Sequence, residues 1–348
     1  MPEKATTRFD WPNAAARLAT LIPRERLDPL VRQWLESAPP RGVWSVAFSG
    51  GPDSLALLLL LWEHWPERQR RLQALHFDHR LRGRESRADA AFCRRVCAAL
   101  GVKFVTGAWR ALPRDVSEAA ARAVRMAFLA RHGRVVFLGH QQDDIAESML
   151  MRLARGSGTG GLAAPRPVQK LPRRRVHLRP LLGVKKAEIV RALERAGVAW
   201  REDSTNAGRT FLRNRIRHTV IKAWAEAAER DAVAGAARSR LLLEEDDDAL
   251  EAWLDQLDTI GPRGRLNLPA LAGKPRALLR RALHRWLLAQ PETFELSRQA
   301  FDAILASVEL GRRTRHSVGR GGFAVLDGDE LRFERVGKRK RSFPRRPN

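Results

Sequence analysis

An α/β fold, with a doubly wound, mostly parallel sheet followed by a smaller, mainly helical unit carrying a short β-hairpin, is the architecture this sequence predicts. Two patterns predict the sheet. Short apolar runs at 43–48, 71–77, 102–106 and 135–139 alternate with helical periods at 53–65, 86–100 and 117–132. Alternation of this kind sets parallel strands side by side, with helices on both faces. The first run also passes through Ser49-Gly50-Gly51-Pro52-Asp53-Ser54 directly into an apolar helix. In such sheets ligands sit beyond the carboxyl ends of the strands, where this loop, the Asp78-His79 pair and the Gly139-His140 pair all fall.

The 49–54 loop reads as an anion cradle. Two glycines let the backbone come close to a ligand and turn several N–H groups toward it, Ser49 and Ser54 add hydroxyls, and the following helix offers its positive N-terminal end. A chain of phosphates is the natural guest. A Walker A loop would need G-x-x-x-x-G-K-[ST], and no Lys lies near this loop, so γ-phosphoryl transfer is not the favoured chemistry. A lone Ser-Gly-Gly is more often only a turn; strand, hexapeptide and apolar helix together favour a nucleotide.

The second strand ends at His76-Phe77-Asp78-His79, where a side chain would lie beside an adenosine bound over the neighbouring loop; alone, the segment reads equally well as a polar strand end. After the fourth strand comes Gly139-His140-Gln141-Gln142-Asp143-Asp144-Ile145-Ala146-Glu147, continuing to Arg152 and Arg155. With a helix beginning near Gln141, Asp144 and Glu147 share one face and His140 lies just before the first turn. Paired carboxylates facing a nucleotide can hold Mg²⁺ or an ammonium group, although any charged amphipathic helix can show this spacing.

Residues 156–175, rich in Gly, Pro and Arg, read as a mobile loop on the edge of the crevice. A helix at 185–196 and a polar segment lead to a strongly helical stretch at 223–250, whose acidic run 244–248 reads as a solvated face. Amphipathic helices at 275–289 and 297–310 and a hairpin turning at Asp327-Gly328-Asp329 then form a second compact unit. The expected organisation is an N-terminal nucleotide-binding domain over 1–222, a helical connector over 223–250, a small domain over 251–335 and a basic, disordered tail over 336–348.

At 348 residues the chain exceeds one typical domain, and its formal charge of +25 suits a polyanionic partner, most often nucleic acid, with salt-dependent association. Its two cysteines, Cys93 and Cys97, form neither a disulfide framework nor a metal motif and read as small buried hydrophobes. The N-terminal residues lack the apolar core of a signal peptide and no apolar run is long enough to cross a bilayer, so a cytoplasmic protein with no membrane partner is expected. The amphipathic helices at 223–250 and 275–310 leave room for a homodimer.

The hexapeptide resembles the SGGxDS signature of the PP-loop, or N-type ATP pyrophosphatase, superfamily. Together with DHRLR (78–82), EAAARAVR (118–125), LGHQQDDIAESMLMRLARGSG (138–158), RPLL (179–182), EDSTN and FLRNRIRH (202–218), it resembles the tRNA(Ile)-lysidine synthases in order and spacing. Residues 265–287 resemble that family's helical second domain more loosely, and its extra C-terminal domain is expected to be missing or reduced to residues near 312–335. The family usually has His where Gln141 stands, Gln where Ile145 stands and Tyr where Met126 stands.

The resemblance implies ATP and Mg²⁺ as cofactors, and L-lysine and a tRNA(Ile) bearing the CAU anticodon as partners. The 2-carbonyl oxygen of the wobble cytosine would attack the α-phosphorus of ATP. Pyrophosphate would be held by Ser49, Gly50, Gly51, Pro52, Asp53 and Ser54, with Asp78 and Gly139 also at the ATP site and Asp53 on the Mg²⁺ or pyrophosphate side. The ε-amine of lysine, positioned by Asp144 and Glu147, would then displace AMP. His140 would contact the α-phosphate or transfer a proton, and Arg122 would stabilise charge or contact substrate. Arg173, Arg174, Arg175, Arg213, Arg215 and Arg217 are candidate contacts to the tRNA backbone.

Two other readings compete. A PP-loop thiolase acting on a tRNA base would need catalytic or cluster-binding cysteines, and Cys93 and Cys97 lie away from the loop motifs. A basic RNA-binding protein on a PP-loop fold without turnover is disfavoured by the intact hexapeptide.

Overall fold

The computed structural model describes residues 9–38, 41–80, 83–109, 117–202, 212–290, 296–319 and 322–335. Leu81, Arg82, most of the EDSTN segment, Phe211 and the basic tail at 336–348 lie outside the described residues. Contacts divide the chain into two units, Met1–Glu244 and Glu245–Asn348.

In the first unit, α1 (Trp11–Leu21) and α2 (Pro29–Ser37) each start at an Asp N-cap with proline in the first two helical positions. Asp10 accepts from Asn13 N at 3.1 Å, and Asp28 from Leu30 N at 3.0 Å, satisfying donors that a helix start leaves unpaired. The alternating region follows as β1 (Trp44–Ala47), α3 (Pro52–His64), β2 (Leu72–Asp78), α4 (Arg84–Ala99), β3 (Lys103–Ala108), α5 (Glu118–His132) and β4 (Val135–Phe137). Beyond it lie α6 (Gln142–Leu153), the short α7 (Thr159–Leu162), β5 (Val168–Leu171), β6 (Arg175–Leu178) and α8 (Lys186–Arg195).

Among the described residues, six strands form one sheet in the order β3-β2-β1-β4-β6-β5, parallel except for β5 against β6. The sheet is doubly wound, as its pattern predicts. Trp44 and Val46 pack with the Leu55–Leu61 run of α3, Cys93 and Val96 of α4, and apolar residues of α1 and α8. Leu75, Val136 and Leu138 pack with Met126, Phe128 and Leu129 of α5. Helix α3 is apolar nearly all round because α1, α8 and the sheet surround it; each Leu buried there contributes roughly 1.5–3 kcal/mol. The strand order reverses between β1 and β4, and at such a switch point the carboxyl ends open a crevice. The 49–54 loop follows β1, and Gly139-His140 follows β4.

Three expectations need correction. Residues 156–175 are not a structureless loop: α7 and β5 lie within them, and β5 makes an antiparallel hairpin with β6. In its three-residue turn, Pro172-Arg173-Arg174, the two arginines have φ of 61° and 55°, left-handed conformations that Gly or Asn usually supplies. The helical stretch at 223–250 is interrupted: α9 (Leu212–Arg215) runs through a π-helical turn, Ile216–Val220, into α10 (Ile221–Ala227), and α11 (Ala232–Asp255) starts afresh. The Asp231 side chain caps that start by accepting from Ala234 N at 3.0 Å. Third, the acidic run is not wholly solvated. Glu244 and Asp247 are buried, because they stand three apart on one face, where Arg240 meets Glu244 and Arg281 meets Asp247.

The second unit holds β7 (Leu266–Asn267), α12 (Arg276–Leu288), α13 (Arg298–Glu309), β8 (Thr314–Ser317), β9 (Gly322–Asp327) and β10 (Glu330–Arg335). Leu278, Leu283, Trp286, Ile304, Leu326 and Leu331 form its core. The expected hairpin is β9–β10, turning through Gly328 at φ 62°, but β7 and β8 flank it to make a four-stranded antiparallel sheet. Among the described residues no helix is long and apolar enough to cross a membrane.

Candidate active site

The loop after β1 is shaped by contacts that only glycine permits. Gly50 has φ 88°, and a Cβ there would lie 3.0 Å from Cys93 Sγ and 3.3 Å from the Phe92 ring. Ser49 N donates to Ser54 Oγ at 3.2 Å, and Ser54 Oγ donates to Gly51 O at 3.1 Å, closing the loop onto the first turn of α3. From outside, Arg201 N donates to Gly50 O at 3.0 Å while Arg201 Nε is held by Asp89 at 2.7 Å. Gly51 is the N-cap of α3 and carries no side-chain cap, and Pro52 opens the helix. The amide groups of this first turn are therefore available to an anion.

Asp53 carries the least balanced charge of the site. Its Oδ1 is buried and has no hydrogen-bond partner among the described residues. Burial pushes its pKa up to about 6, nearby Lys186 opposes that, and Asp144 adds to it. A carboxylate held this way is suited to gain from a cation bound directly at its free oxygen. Among the described residues no three His, Cys, Asp or Glu side chains converge as a metal cluster, so a divalent ion beside Asp53 would complete its shell with phosphate oxygens and water.

The end of β4 abuts this loop. A Cβ on Gly139 would stand 3.1 Å from the Asp53 carbonyl carbon and oxygen and 3.2 Å from Ser54 N. Gly139→Ala is therefore expected to shift the loop by a few tenths of an ångström or more and to reduce ATP turnover about 100-fold, with circular dichroism and melting close to wild type; wild-type turnover would show that the loop tolerates the shift.

Helix α6 begins with reciprocal caps: Asp143 N donates to Gln141 Oε1 at 2.6 Å, and Gln141 N donates to Asp144 Oδ2 at 3.0 Å. Gln141, where the family usually has His, thus serves as a fully buried cap, while Ile145 and Met126 fill apolar positions. The structure brings Asp144 and Glu147 together on one buried face, and with them Arg213 and Arg217, which stand four apart on the α9–π–α10 run. Arg213 reaches Asp144 Oδ1 at 2.5 Å and Glu147 Oε2 at 2.6 Å, and Arg217 Nε donates to Glu147 Oε1. Burial disfavours the Arg217 charge, but the bond to Glu147 together with the Glu147 and Asp144 charges outweighs this and raises its pKa above the ordinary arginine value. Every oxygen of the two carboxylates is engaged. Arg213 and Arg217, expected at the RNA backbone, point into the crevice, whereas Arg215 between them is exposed. The π-turn begins just after Arg215, and such turns are frequent at functional sites.

The remaining residues are spread around the crevice. His140 accepts at Nδ1 from Arg179 Nε at 3.0 Å. Arg122 and Arg125 on α5 face the same region electrostatically, and the buried Nε of Arg125 has no hydrogen-bond partner among the described residues. Asp78 Oδ1 accepts from Arg80 N at 2.7 Å, a local turn at the end of β2. Arg173 and Arg174 are exposed at the β5–β6 turn, with Arg175 partly covered beside them on the sheet edge. Sequence reasoning missed Arg179, Arg201, Arg125 and Lys186. For Arg179 a signal existed in Arg179-Pro180-Leu181-Leu182; for Lys186, an ordinary lysine opening a helix, none did.

Both cysteines are fully buried; burial pushes Cys97 up to about 12 and raises Cys93 further. Neither offers a thiolate for sulfur chemistry. Ellman's reagent is expected to label neither in the native protein and both after denaturation; rapid native labelling would contradict this packing.

A strand, a Ser-Gly-Gly-Pro-Asp-Ser cradle without a Walker lysine and a helix, set at the switch point of a doubly wound sheet, define a PP-loop nucleotide site. The family model described as a PP-loop domain matches residues 24–224. Similar proteins include the tRNA(Ile)-lysidine synthase of Solibacter usitatus, 42% identical over 51% of this chain and 40% of its own length. That of Symbiobacterium thermophilum is 34% identical over 78% of this chain and 60% of its own. That of Gloeobacter violaceus is 36% identical over 87% of this chain and 92% of its own. The chain belongs to the tRNA(Ile)-lysidine synthase family of PP-loop proteins. It spans 40% and 60% of the first two relatives and nearly all of the third.

Proposed function

We propose that the chain is an ATP-dependent ligase that converts the wobble cytidine of a CAU-bearing tRNA(Ile) to lysidine in the cytoplasm. The observation that carries this reading is the meeting, in one crevice, of the 49–54 cradle, the Gly139-His140 strand end and the buried Asp144–Glu147 pair. In the first step the cytosine 2-carbonyl oxygen bonds to the α-phosphorus of ATP and the bond to the β-phosphate oxygen breaks. The Gly50-Gly51 turn and the first turn of α3 stabilise charge on the departing pyrophosphate. Mg²⁺ beside Asp53 would neutralise phosphate charge; the partnerless carboxylate oxygen fits that role.

In the second step the ε-amine of lysine, having lost a proton, attacks C2 of the activated base and AMP leaves with the oxygen. Asp144 and Glu147 are suited to hold the amine as its cation. Because Arg213 and Arg217 already engage both carboxylates, the amine must use their remaining lone pairs or displace a guanidinium. Arg173, Arg174, Arg175 and Arg215 support a grip on the tRNA backbone, and Arg122 supports contact with substrate at the mouth. The charge of +25 suits such a partner.

The test is pyrophosphate release from ATP and Mg²⁺ with and without unmodified tRNA(Ile). Release is expected only with the tRNA, and without any need for lysine. Asp144→Asn is expected to lower lysine transfer about 100-fold or more while costing adenylylation far less; equal loss of both steps would remove the lysine role from Asp144.

A further inference from the structure

The surroundings of His140 determine which of its nitrogens carries the proton. Arg179 Nε lies 3.0 Å from His140 Nδ1. A guanidinium can only donate, so Nδ1 must accept, and the single proton of the neutral ring then sits on Nε2. Arg179 has no freedom to turn away. It is buried, its Nη1 donates to the Arg166 carbonyl at 2.6 Å, and its Nη2 donates to Gln169 Oε1 at 2.8 Å. Three arms of one planar fork are thus set by the hairpin side of the sheet and by the histidine. Nε2 has no hydrogen-bond partner among the described residues.

The charged groups that act most strongly on this ring all carry the same sign. After burial itself, Arg179 from beyond β6, Arg213 from α9, and Arg125 and Arg122 from α5 all oppose protonation. A second proton on His140 would add a cation among four guanidinium groups and break the bond from Arg179. The ring is held well below its ordinary pKa.

We propose that Arg179 is a positioning residue that locks His140 in the Nε2–H tautomer, so that His140 serves the reaction as a fixed hydrogen-bond donor to a phosphate oxygen and takes no part in proton transfer. A donor that needs no protonation event is preorganised for charge that develops as pyrophosphate departs. The identity of the acceptor rests on the adenylylation reading above; the tautomer and its lock do not.

The full chain labelled with ¹⁵N-histidine tests the lock directly, with the His140 signal assigned by its loss in His140→Gln. Wild type is expected to show His140 as the Nε2–H form, titrating below free histidine. A wild-type Nδ1–H form, or an imidazolium at neutral pH, overturns the proposal without reference to any substrate or variant. In Arg179→Gln a mixture of tautomers and an upward shift of the midpoint are expected; an unchanged spectrum would also overturn it.

Kinetics supplies the second arm, since a glutamine amide nitrogen can occupy the position of imidazole Nε2. His140→Gln is expected to retain tRNA-dependent pyrophosphate release to within about tenfold, while His140→Ala loses about 10²–10³-fold. Equal losses in both variants would assign proton transfer to His140 and contradict the proposal. A wild-type chain that releases no pyrophosphate would refute the adenylylation reading instead, while the ¹⁵N spectrum would still decide the lock.

Discussion

Asp53→Asn is expected to remove ATP-dependent pyrophosphate release almost completely, by about 10²–10³-fold or more, and at the same time to make the ligand-free protein more stable near neutral pH. Both effects have one cause. The Asp53 carboxyl titrates at about 6 instead of 3.8, chiefly because burial disfavours its charged form. Between those values the folded state binds more protons than the unfolded chain, so its stability falls as pH rises through the window and the full penalty remains above it. That penalty is about 2–3 kcal/mol. Asparagine keeps the shape and never ionises, so the variant should lose the pH dependence of this window and melt higher than wild type at pH 7. Adding Mg²⁺ with ATP should narrow the difference by stabilising only the wild type. A variant that is less stable at every pH would show that Asp53 is satisfied by some partner other than a bound cation.

Glu147→Ala is expected to have the largest effect on folding. Glu147 is fully buried and its two oxygens hold Arg213 and Arg217. Removing it takes one carboxylate away from two largely buried guanidinium groups, and breaking a buried pair in this way costs about 3–5 kcal/mol. Urea unfolding of the variant measures the loss. Arg217→Met should cost less, because Arg213 still spans both carboxylates. The double variant Glu147→Ala, Arg217→Met should cost less than the sum of the two, since the second change removes a cation the first deprived of its closest carboxylate. Strict additivity would mean that the quartet does not act as a unit.

These side chains also mark what could and could not be read from the sequence. The β1–loop–α3 unit was legible because its signals are local: an apolar strand, two glycines, a proline at the first helical position and an unbroken apolar helix. The start of α6 was legible for the same reason. The β5–β6 hairpin was not, because its strands are short and polar and its turn uses two arginines where glycine or asparagine is usual. The interruption before α11 carried a readable cap in Asp231, obscured by the helix-forming residues around it. Arg213 and Arg217 are the instructive case. Charge and spacing identified Arg213 and Arg217 as important, but their partners lie 66 and 70 residues earlier in the chain. Only the packing of the 212–227 run against α6 shows that they face carboxylates. Arg179 is similar, since a buried arginine bonded to a histidine 39 residues away leaves no periodic trace.

The site can be divided by what each part must do. In the proposed reaction the 49–54 cradle and Gly139 would place the phosphates, Asp53 would face a bound cation and His140 would offer a donor set by Arg179, while the buried Asp144–Glu147 pair is already engaged by arginine. That last feature makes lysine use the most exposing demand on the whole account. Labelled L-lysine should be incubated with ATP, Mg²⁺ and an unmodified tRNA(Ile) bearing CAU, with an elongator tRNA(Met) bearing the same anticodon as control. The account predicts label in the isoleucine tRNA alone, with AMP and pyrophosphate released in equal amounts. Pyrophosphate release without lysine incorporation would contradict it, leaving the adenylylating crevice intact but requiring a nucleophile other than lysine.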